Sequence, residues 1–336
     1  MNSCRFETAT SASNTKGFLG VPCSTELDRV FLFLNSILAV VILAGNSLTC
    51  AVFLKERHLR RSYMNSYLVS LAISDICMGA LVIPFYSVFC SGCKYSLTPY
   101  CWFIRAIKGV TFGANILNLL AISLDRHEAF FSPLRYTSNM TMKRVAVILT
   151  AVWGIPFLLT GARNFWQHSD ARDEALYIDR VYTYILTIIF VIIPFFLLLG
   201  INLRILYVIK KQVQRIHVDN SNKIRLSWPA KQRPAPHSIR KIKGTLSCVV
   251  VVLVYILCWL PRIFYNFCFL FGGIDLVSAM LIKLSLFFLF LQSSLNPFIY
   301  SFYRVEFRQA ALRLMRWRNP PNDRFVFRFS SRNTLD

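Results

Sequence analysis

The sequence alternates between long apolar runs and short polar segments that are mostly basic. Seven runs approach the roughly 20 residues that a helix needs to cross the hydrocarbon core of a bilayer. They cover about residues 30–54, 62–93, 101–124, 145–162, 181–203, 244–261 and 284–303. Asp75 interrupts the second run, and Arg105 and Lys108 lie near the start of the third. The pattern predicts an all-α membrane protein built as a bundle of seven transmembrane helices.

The composition excludes an ordinary soluble domain. Of the 336 residues, 55% are hydrophobic and only 16% are charged, whereas soluble domains average about 25% charged residues. The net charge is +22, which by itself is also typical of nucleic-acid-binding proteins. Here, however, the basic residues are divided among four segments joined by apolar runs, so they do not form the continuous patch that nucleic acid requires.

The distribution of the basic residues predicts the orientation. Four segments, Lys55–Arg61, Arg126–Arg144, Arg204–Lys243 and Arg304–Arg332, hold 27 of the 38 Lys and Arg residues. Because Lys and Arg are enriched in cytoplasmic loops, these segments are predicted to be cytoplasmic. Residues 1–29 are then an extracellular N-terminus. We call the helix ends on that side outer ends and the opposite ends inner ends.

The polar segments also predict how the remaining chain is organised. The transmembrane domain covers residues 30–303, and its third inner loop, about 210–241, is expected to be largely non-helical. Residues 304–318 form a short amphipathic eighth helix whose arginines, Arg304 among them, face anionic lipid. Residues 319–336 are a cytoplasmic tail.

Several polar side chains fall at bilayer depth. Asn46, Asp75, Asn115 and Asn296 lie near the middle of four different runs. Ionisable groups inside a membrane are costly and usually functional, so we expect Asp75 to meet these amides and Ser293 across the bundle. The alternative is a polar cluster that only holds the helices together.

Short motifs follow one another along the seven runs. They are Gly45-Asn46, Leu71–Asp75, Asp125-Arg126-His127, Trp153, Pro194, Cys258–Pro261 and Asn296–Tyr300. In this order they resemble the rhodopsin-like (class A) family of G-protein-coupled receptors, over about Val30–Trp317. The alternative is a seven-helix transporter or channel, although the two related halves common in transporters are not visible.

The resemblance implies a plasma-membrane receptor rather than an enzyme, without a cofactor. Such a receptor binds an extracellular ligand in the outer half of the bundle and activates a heterotrimeric G protein. Arrestin and receptor kinases are further implied partners, and membrane lipids surround the bundle.

The resemblance also assigns roles to individual residues. The coupling and switch residues are Asp125, Arg126, His127, Pro261, Asn296, Pro297 and Tyr300. Trp259 is the toggle beneath the ligand. Asp75, Asn115, Ser293 and Asn296 match the sodium pocket of the family, and Asn46 joins this polar core. Asp75 is the metal-binding candidate, for sodium alone.

The outer halves of the helices predict the chemistry of the ligand. Amine receptors of the family carry an Asp where this chain has Lys108, and a cation there repels an ammonium group. Together with Arg262, Lys108 favours a ligand with a carboxylate, a phosphate or an acidic peptide end. The ligand-binding candidates are Lys108, Phe112, Trp259, Arg262, Lys283 and Phe290. Alternatively, Lys283 extends to the outer headgroups, and acids of the outer segments neutralise Lys108 or Arg262.

The cysteines depart from the family pattern. Cys101 matches the helix half of the disulfide that most members have, but residues 163–180 contain no cysteine to pair with it. An oxidising exterior allows other bridges. The candidate pairings are Cys101 with Cys90 or Cys93, and Cys23 with Cys268.

Overall fold

The computed structural model describes residues 25–60, 62–89, 98–163, 172–225, 236–270 and 279–315. Within these ranges all regular elements are helical. The α-helices are Thr25–Lys55, Arg57–Arg60, Tyr63–Cys77, Ile83–Phe89, Thr98–Phe131, Pro133–Asn139, Met142–Ala162, Arg172–Thr187, Ile193–Arg225, Pro236–Leu270, Ala279–Tyr303 and Val305–Met315. Two π-helical turns, Met78–Val82 and Ile188–Ile192, each continue one α-helix into the next.

The seven predicted spans are confirmed. The described part of the chain contains seven helices long and apolar enough to cross a membrane: Glu26–Lys55, Tyr63–Ser87, Phe103–Phe131, Met142–Ala162, Tyr177–Lys211, Thr245–Cys268 and Met280–Tyr303. We number these spanning helices one to seven. A helix satisfies its own backbone hydrogen bonds, which is the reason that apolar runs of this length cross lipid as helices.

The third spanning helix lies at the centre of the bundle. It contacts the second, fourth, fifth and sixth helices, while the seventh packs between the first and the sixth. Residues at the centre of the third helix are accordingly buried, among them Ala114, Ile116 and Leu119. A side chain on this helix therefore contacts several neighbours at once, whichever end of the bundle it occupies.

The two π-helical turns have a common cause in the sequence. Each ends two residues before a proline, Pro84 in the second helix and Pro194 in the fifth. A proline ring clashes with the preceding turn of an α-helix and removes one backbone hydrogen bond, and a wider turn relieves this clash. Pro156, Pro261 and Pro297 lie inside continuous α-helices.

Two predicted segments differ from the structure. In the third inner loop, helix continues through Arg225 and resumes at Pro236, so the expected non-helical piece is wrong for most of its length. Residues 212–225 contain neither proline nor glycine, and nothing there ends the helix.

A short helix, Val305–Met315, follows the seventh spanning helix and packs against the first and seventh. Its predicted position along the membrane surface stays a prediction. Phe307 is buried there, with its ring centroid 5.6 Å from that of Phe53 and 6.2 Å from that of Tyr300. Arg304 departs from the prediction, because its guanidinium donates a 2.8 Å hydrogen bond to Asn65 Oδ1 rather than facing lipid.

Glycine permits two of the closest helix contacts. A Cβ added to Gly45 of the first helix would lie 2.8 Å from Pro297 Cγ of the seventh. At Gly113 of the third helix, an added Cβ would lie 2.7 Å from Pro156 Cβ of the fourth. These separations are too short for carbon atoms in contact, so both helix pairs approach as closely as they do because the side chain is absent.

We expect Gly113→Ala to destabilise the bundle. The added methyl forces the fourth helix outward, and such overpacking costs about 1–3 kcal/mol, more than the roughly 1 kcal/mol that alanine adds to helix stability. Gly154→Ala is the matched control, since nothing lies within 4 Å of its added Cβ. Thermal unfolding in detergent should show a lower midpoint for Gly113→Ala alone, and equal midpoints for the two variants would contradict the packing.

Candidate functional site

A buried carboxylate joins three helices in the middle of the bundle. Asp75 of the second helix has no exposed surface. Asn115 Nδ2 of the third helix donates to Asp75 Oδ1 at 2.7 Å, and Asn296 Nδ2 of the seventh donates to Asp75 Oδ2 at 2.7 Å. The structure therefore brings two of the predicted amides, those of Asn115 and Asn296, to the Asp75 carboxylate.

Asn46 and Ser293, the other members of the predicted polar core, contact each other beside this carboxylate. Asn46 Nδ2 donates to the backbone oxygen of Ser293 at 3.2 Å, which ties the first helix to the seventh. The Ser293 hydroxyl and Asn296 Oδ1 are buried, and neither has a hydrogen-bond partner among the described residues. Asn46 Oδ1 is likewise buried without a partner among the described residues, so the core contains one carboxylate and three such oxygens.

The inner end of the third helix holds an ion pair between neighbouring residues. Arg126 Nε donates to Asp125 Oδ2 at 3.0 Å, and a second guanidinium nitrogen also contacts that oxygen. Tyr136 of the helix Pro133–Asn139 donates its hydroxyl to Asp125 Oδ1 at 2.9 Å. Burial raises the pKa of the Tyr136 hydroxyl, and the nearby Asp125 carboxylate raises it further. The tyrosine therefore stays protonated, as a donor must.

The neighbouring switch residues are packed by aromatic rings. The His127 ring stacks on Phe131 with centroids 4.4 Å apart, and the Arg204 guanidinium carbon lies 4.7 Å from the same Phe131 centroid. Tyr300 of the seventh helix is 1% exposed, and its hydroxyl has no hydrogen-bond partner among the described residues. Pro261 and Pro297 lie within their helices, as predicted.

An aromatic cluster lies outward of the polar core. The Phe112 ring meets the edge of Trp259 at a centroid distance of 5.9 Å and stacks on Phe290 at 6.4 Å. Trp259 and Phe290 are buried. Tyr255 extends the cluster inward, 5.3 Å from Trp259. Phe112 of the third helix therefore contacts two other predicted ligand-binding residues, one on the sixth helix and one on the seventh.

The predicted cations of the outer half occupy three different environments. Lys108 lies one turn outward of Phe112, and its ammonium group is 4.0 Å from the ring centroid of Tyr86. The Arg262 guanidinium lies 4.5 Å from the ring centroid of Tyr265, on its own helix. Lys283 instead pairs with Asp28 of the first helix, so the structure does not bring it to the aromatic cluster.

Sequence reasoning missed an ion pair between the outer ends of the fourth and fifth helices. Arg163 contacts Asp179 through two nitrogens, each 2.5 Å from a carboxylate oxygen, and one of these nitrogens lies 3.4 Å from the Thr183 hydroxyl. Tyr182 donates its hydroxyl to the backbone oxygen of Leu159 beside it. In the sequence, the only indication of this pair is that residues of opposite charge lie on either side of the loop between the fourth and fifth helices.

The candidate pairings of Cys101 stay predictions, because Cys90, Cys93 and the side chain of Cys101 lie outside the described residues, as does Cys23. Cys268 is buried with a free thiol, which contradicts its predicted pairing with Cys23.

Two further contacts were not expected from the sequence. Asn202 of the fifth helix donates to the Ser123 hydroxyl of the third at 3.1 Å. Trp153 of the fourth helix donates through Nε1 to Ser70 of the second at 3.0 Å. In both bonds the acceptor is a serine hydroxyl on another helix. Serines are too common in the spans for the sequence to indicate which of them accepts such a bond.

Comparison with known proteins agrees with this arrangement. The family described as "7 transmembrane receptor (rhodopsin family)" matches residues 45–300. The histamine H2 receptor of Homo sapiens is 29% identical over 301 residues, which cover 85% of this chain and 79% of that receptor. The D(1C) dopamine receptor of Xenopus laevis is 30% identical over 307 residues, which cover 82% of this chain and 65% of that receptor.

The chain therefore belongs to the rhodopsin family of seven-transmembrane receptors. It is a receptor, not an enzyme, and a multi-pass protein of the plasma membrane. Membership in this family favours the receptor over a transporter or channel.

We expect Asp75→Ala to lower the thermal stability of the receptor. The substitution leaves the Asn115 and Asn296 amides buried without their acceptor, and each orphaned buried donor costs about 1–3 kcal/mol. Ser285→Ala is the control, because this buried hydroxyl of the seventh helix donates only within its own helix, to Ile282 at 2.8 Å. Thermal unfolding in detergent should separate the two variants, and a midpoint for Asp75→Ala as high as the control's would contradict the role of the carboxylate.

Proposed function

We propose that this member of the rhodopsin family is a cell-surface receptor that binds an extracellular ligand in the outer half of the bundle and activates a heterotrimeric G protein. The basic residues of the four inner segments support an extracellular N-terminus. The observation that carries the proposal is the continuous set of contacts along the third helix. This helix runs from Lys108 through Phe112 and Asn115 to the Asp125–Arg126 pair.

We propose that the ligand presents an anionic group to Lys108. This lysine is half-buried one turn outward of the aromatic cluster, so an acid bound to it would place an attached apolar group over Phe112 and Trp259. A charge-assisted contact in such a site is stronger than one on the surface. A carboxylate, a phosphate or an acidic peptide end satisfies these requirements. Arg262, about one turn outward of Trp259 on the sixth helix, adds a second cation.

An amine ligand is the second candidate, and it rests on the names of the relatives, which are histamine and dopamine receptors. An ammonium group needs an acid in the outer half. Of the acids there whose side chains the structure describes, Asp28 pairs with Lys283, Asp179 pairs with Arg163, and Glu26 is exposed beside Arg29. Lys108 occupies the position of the aspartate that amine receptors carry, and it repels a second cation. The charges therefore favour the anionic ligand.

We expect Lys108→Ala to raise the half-maximal concentration of an anionic agonist at least tenfold, equivalent to about 1.4 kcal/mol. Arg262→Ala should have an effect of the same sign. Lys283→Ala is the matched control, because it removes the same charge from a residue that pairs with the first helix. Dose–response curves for G-protein activation measure all three. Unchanged potency in Lys108→Ala and Arg262→Ala would contradict the anionic site.

We propose that coupling begins with release of Arg126. In the structure Arg126 is held by Asp125, which Tyr136 in turn holds. A ligand that favours an outward swing of the sixth helix at Pro261 shifts the population towards a state in which Arg126 meets the G protein. His127, Asn296, Pro297 and Tyr300 belong to the same inner region. Arrestin and receptor kinases are proposed as further partners of the activated inner face.

We expect Asp125→Asn to raise ligand-independent signalling. The substitution weakens the contact between Asp125 and the charged Arg126. If this contact contributes about 1.5 kcal/mol, its loss shifts the equilibrium between the resting and active states about tenfold towards the active state. Tyr136→Phe removes one neutral donor and should produce a smaller rise. Second-messenger levels in transfected cells, normalised to surface expression, provide the measurement. Basal signalling of Asp125→Asn equal to that of the parent receptor would show that the pair does not restrain Arg126.

The polar core has a donor set that fits a sodium ion. Asp75 supplies the charge, and the unsaturated oxygens of Ser293 and Asn296 are of the type that hard cations prefer. Asp75 is the one carboxylate among the residues named in this core, and a single negative charge suits a monovalent cation. We propose this role for Asp75, with Asn46 and Asn115 fixing its surroundings.

A further inference from the structure

A groove lies between the inner halves of the third and fourth helices. Its volume is about 270 Å³. The apolar part includes Leu120 and Leu124 of the third helix and Ile148 and Ile155 of the fourth. Leu124 and Ile155 are 46% and 45% exposed, so within a membrane the groove opens towards the acyl chains. None of the proposed ligand-binding residues lines it.

The inner end of the groove is polar. Asp125, Glu128 and Arg144 line it, together with the otherwise buried ring of Tyr67. Arg144 donates to Glu128 Oε1 at 3.0 Å, and both side chains remain 42% exposed. The Tyr67 hydroxyl has no hydrogen-bond partner among the described residues, although the residue has no exposed surface. A buried donor of this kind normally has an acceptor, so the groove lacks one polar group at this end.

The dimensions of the groove match one acyl chain. From Leu117 to Glu128, and from Arg144 to Ile155, each wall extends eleven residues, or about 16 Å at 1.5 Å per residue. This is roughly half of the 30 Å hydrocarbon core, the depth of one leaflet. A groove of this volume is too narrow for a helix, which measures about 10–12 Å across. A spanning helix of a second copy therefore does not fit inside the groove.

We propose that the groove binds one anionic phospholipid of the cytoplasmic leaflet. One acyl chain lies along the apolar walls, and the phosphate accepts hydrogen bonds from the Tyr67 hydroxyl and the Arg144 guanidinium. The polar end lacks a free acceptor for the Tyr67 hydroxyl, because the Asp125 oxygens are already bound by Arg126 and Tyr136. At Arg144 the phosphate competes with Glu128. Asp125, which restrains Arg126 in the proposed function, lines the same end of the groove.

Native mass spectrometry of the delipidated receptor in detergent tests this proposal. The receptor is titrated with phosphatidylserine or with phosphatidylcholine, and both lipids carry the same acyl chains. The receptor should retain one phosphatidylserine with about fivefold preference over phosphatidylcholine. This ratio corresponds to the roughly 1 kcal/mol that one basic side chain contributes beside an anionic headgroup. Glycerophosphoserine, which has the headgroup without chains, should not compete, and competition would show a free phosphate site instead. Because the readout is binding, it is independent of the agonist and of G-protein coupling.

Variants assign the preference to the groove. Arg144→Gln and Tyr67→Phe should each remove most of the preference for phosphatidylserine, and Glu128→Gln should increase it, since that acid competes for Arg144. Ala151→Phe fills the groove and should abolish retention of both lipids. Lys143→Gln is the matched control, because Lys143 is exposed and does not line the groove. Equal losses in Lys143→Gln and Arg144→Gln, or full retention in Ala151→Phe, would overturn the proposal.

Discussion

The structure depends on one costly group, the carboxylate of Asp75 in the centre of an apolar bundle. A carboxylate at this depth is tolerated only with hydrogen-bond donors around it. These donors come from Asn115 and Asn296 on two other helices, each at 2.7 Å. The second, third and seventh helices can therefore rotate or slide little without leaving a buried polar group unpaired. Asn46 extends the constraint to the first helix through the backbone of Ser293.

The polar core also fixes the positions of side chains at the two ends of the receptor. Outward along the third and seventh helices, the fixed register places Phe112 beside Phe290 and against Trp259. Inward along the third helix, it places Asp125 and Arg126 at the surface that faces the G protein in the proposed mechanism. In the proposed mechanism, the ligand moves the sixth helix at Trp259 relative to the first, second, third and seventh helices, whose relative positions the polar core sets.

Residues that belong to a motif or to an apolar run could be predicted from the sequence. The seven spans follow from run length, and Asp75 with its amides follows from the cost of polarity in lipid. The ion pairs between helix ends could not be predicted in the same way. The pairing of Arg163 with Asp179, of Lys283 with Asp28 and the bond of Arg304 to Asn65 depend on how each helix is rotated. When a span is apolar on all sides, the hydrophobic pattern does not show which side of the helix faces the bundle. For this reason the sequence predicts Lys283 in the ligand pocket, whereas the structure pairs it with Asp28 of the first helix.

The most direct test of the central claim is a screen of the unmodified receptor with matched pairs of ligands. Each pair shares an aromatic or aliphatic body and differs only in carrying a carboxylate or an amine, and G-protein activation is measured for both. The account predicts activation by members of the acid series and none by their amine counterparts. Activation by amines with no response to any of the matched acids would contradict it, and would show that Lys108 does not determine the charge of the ligand.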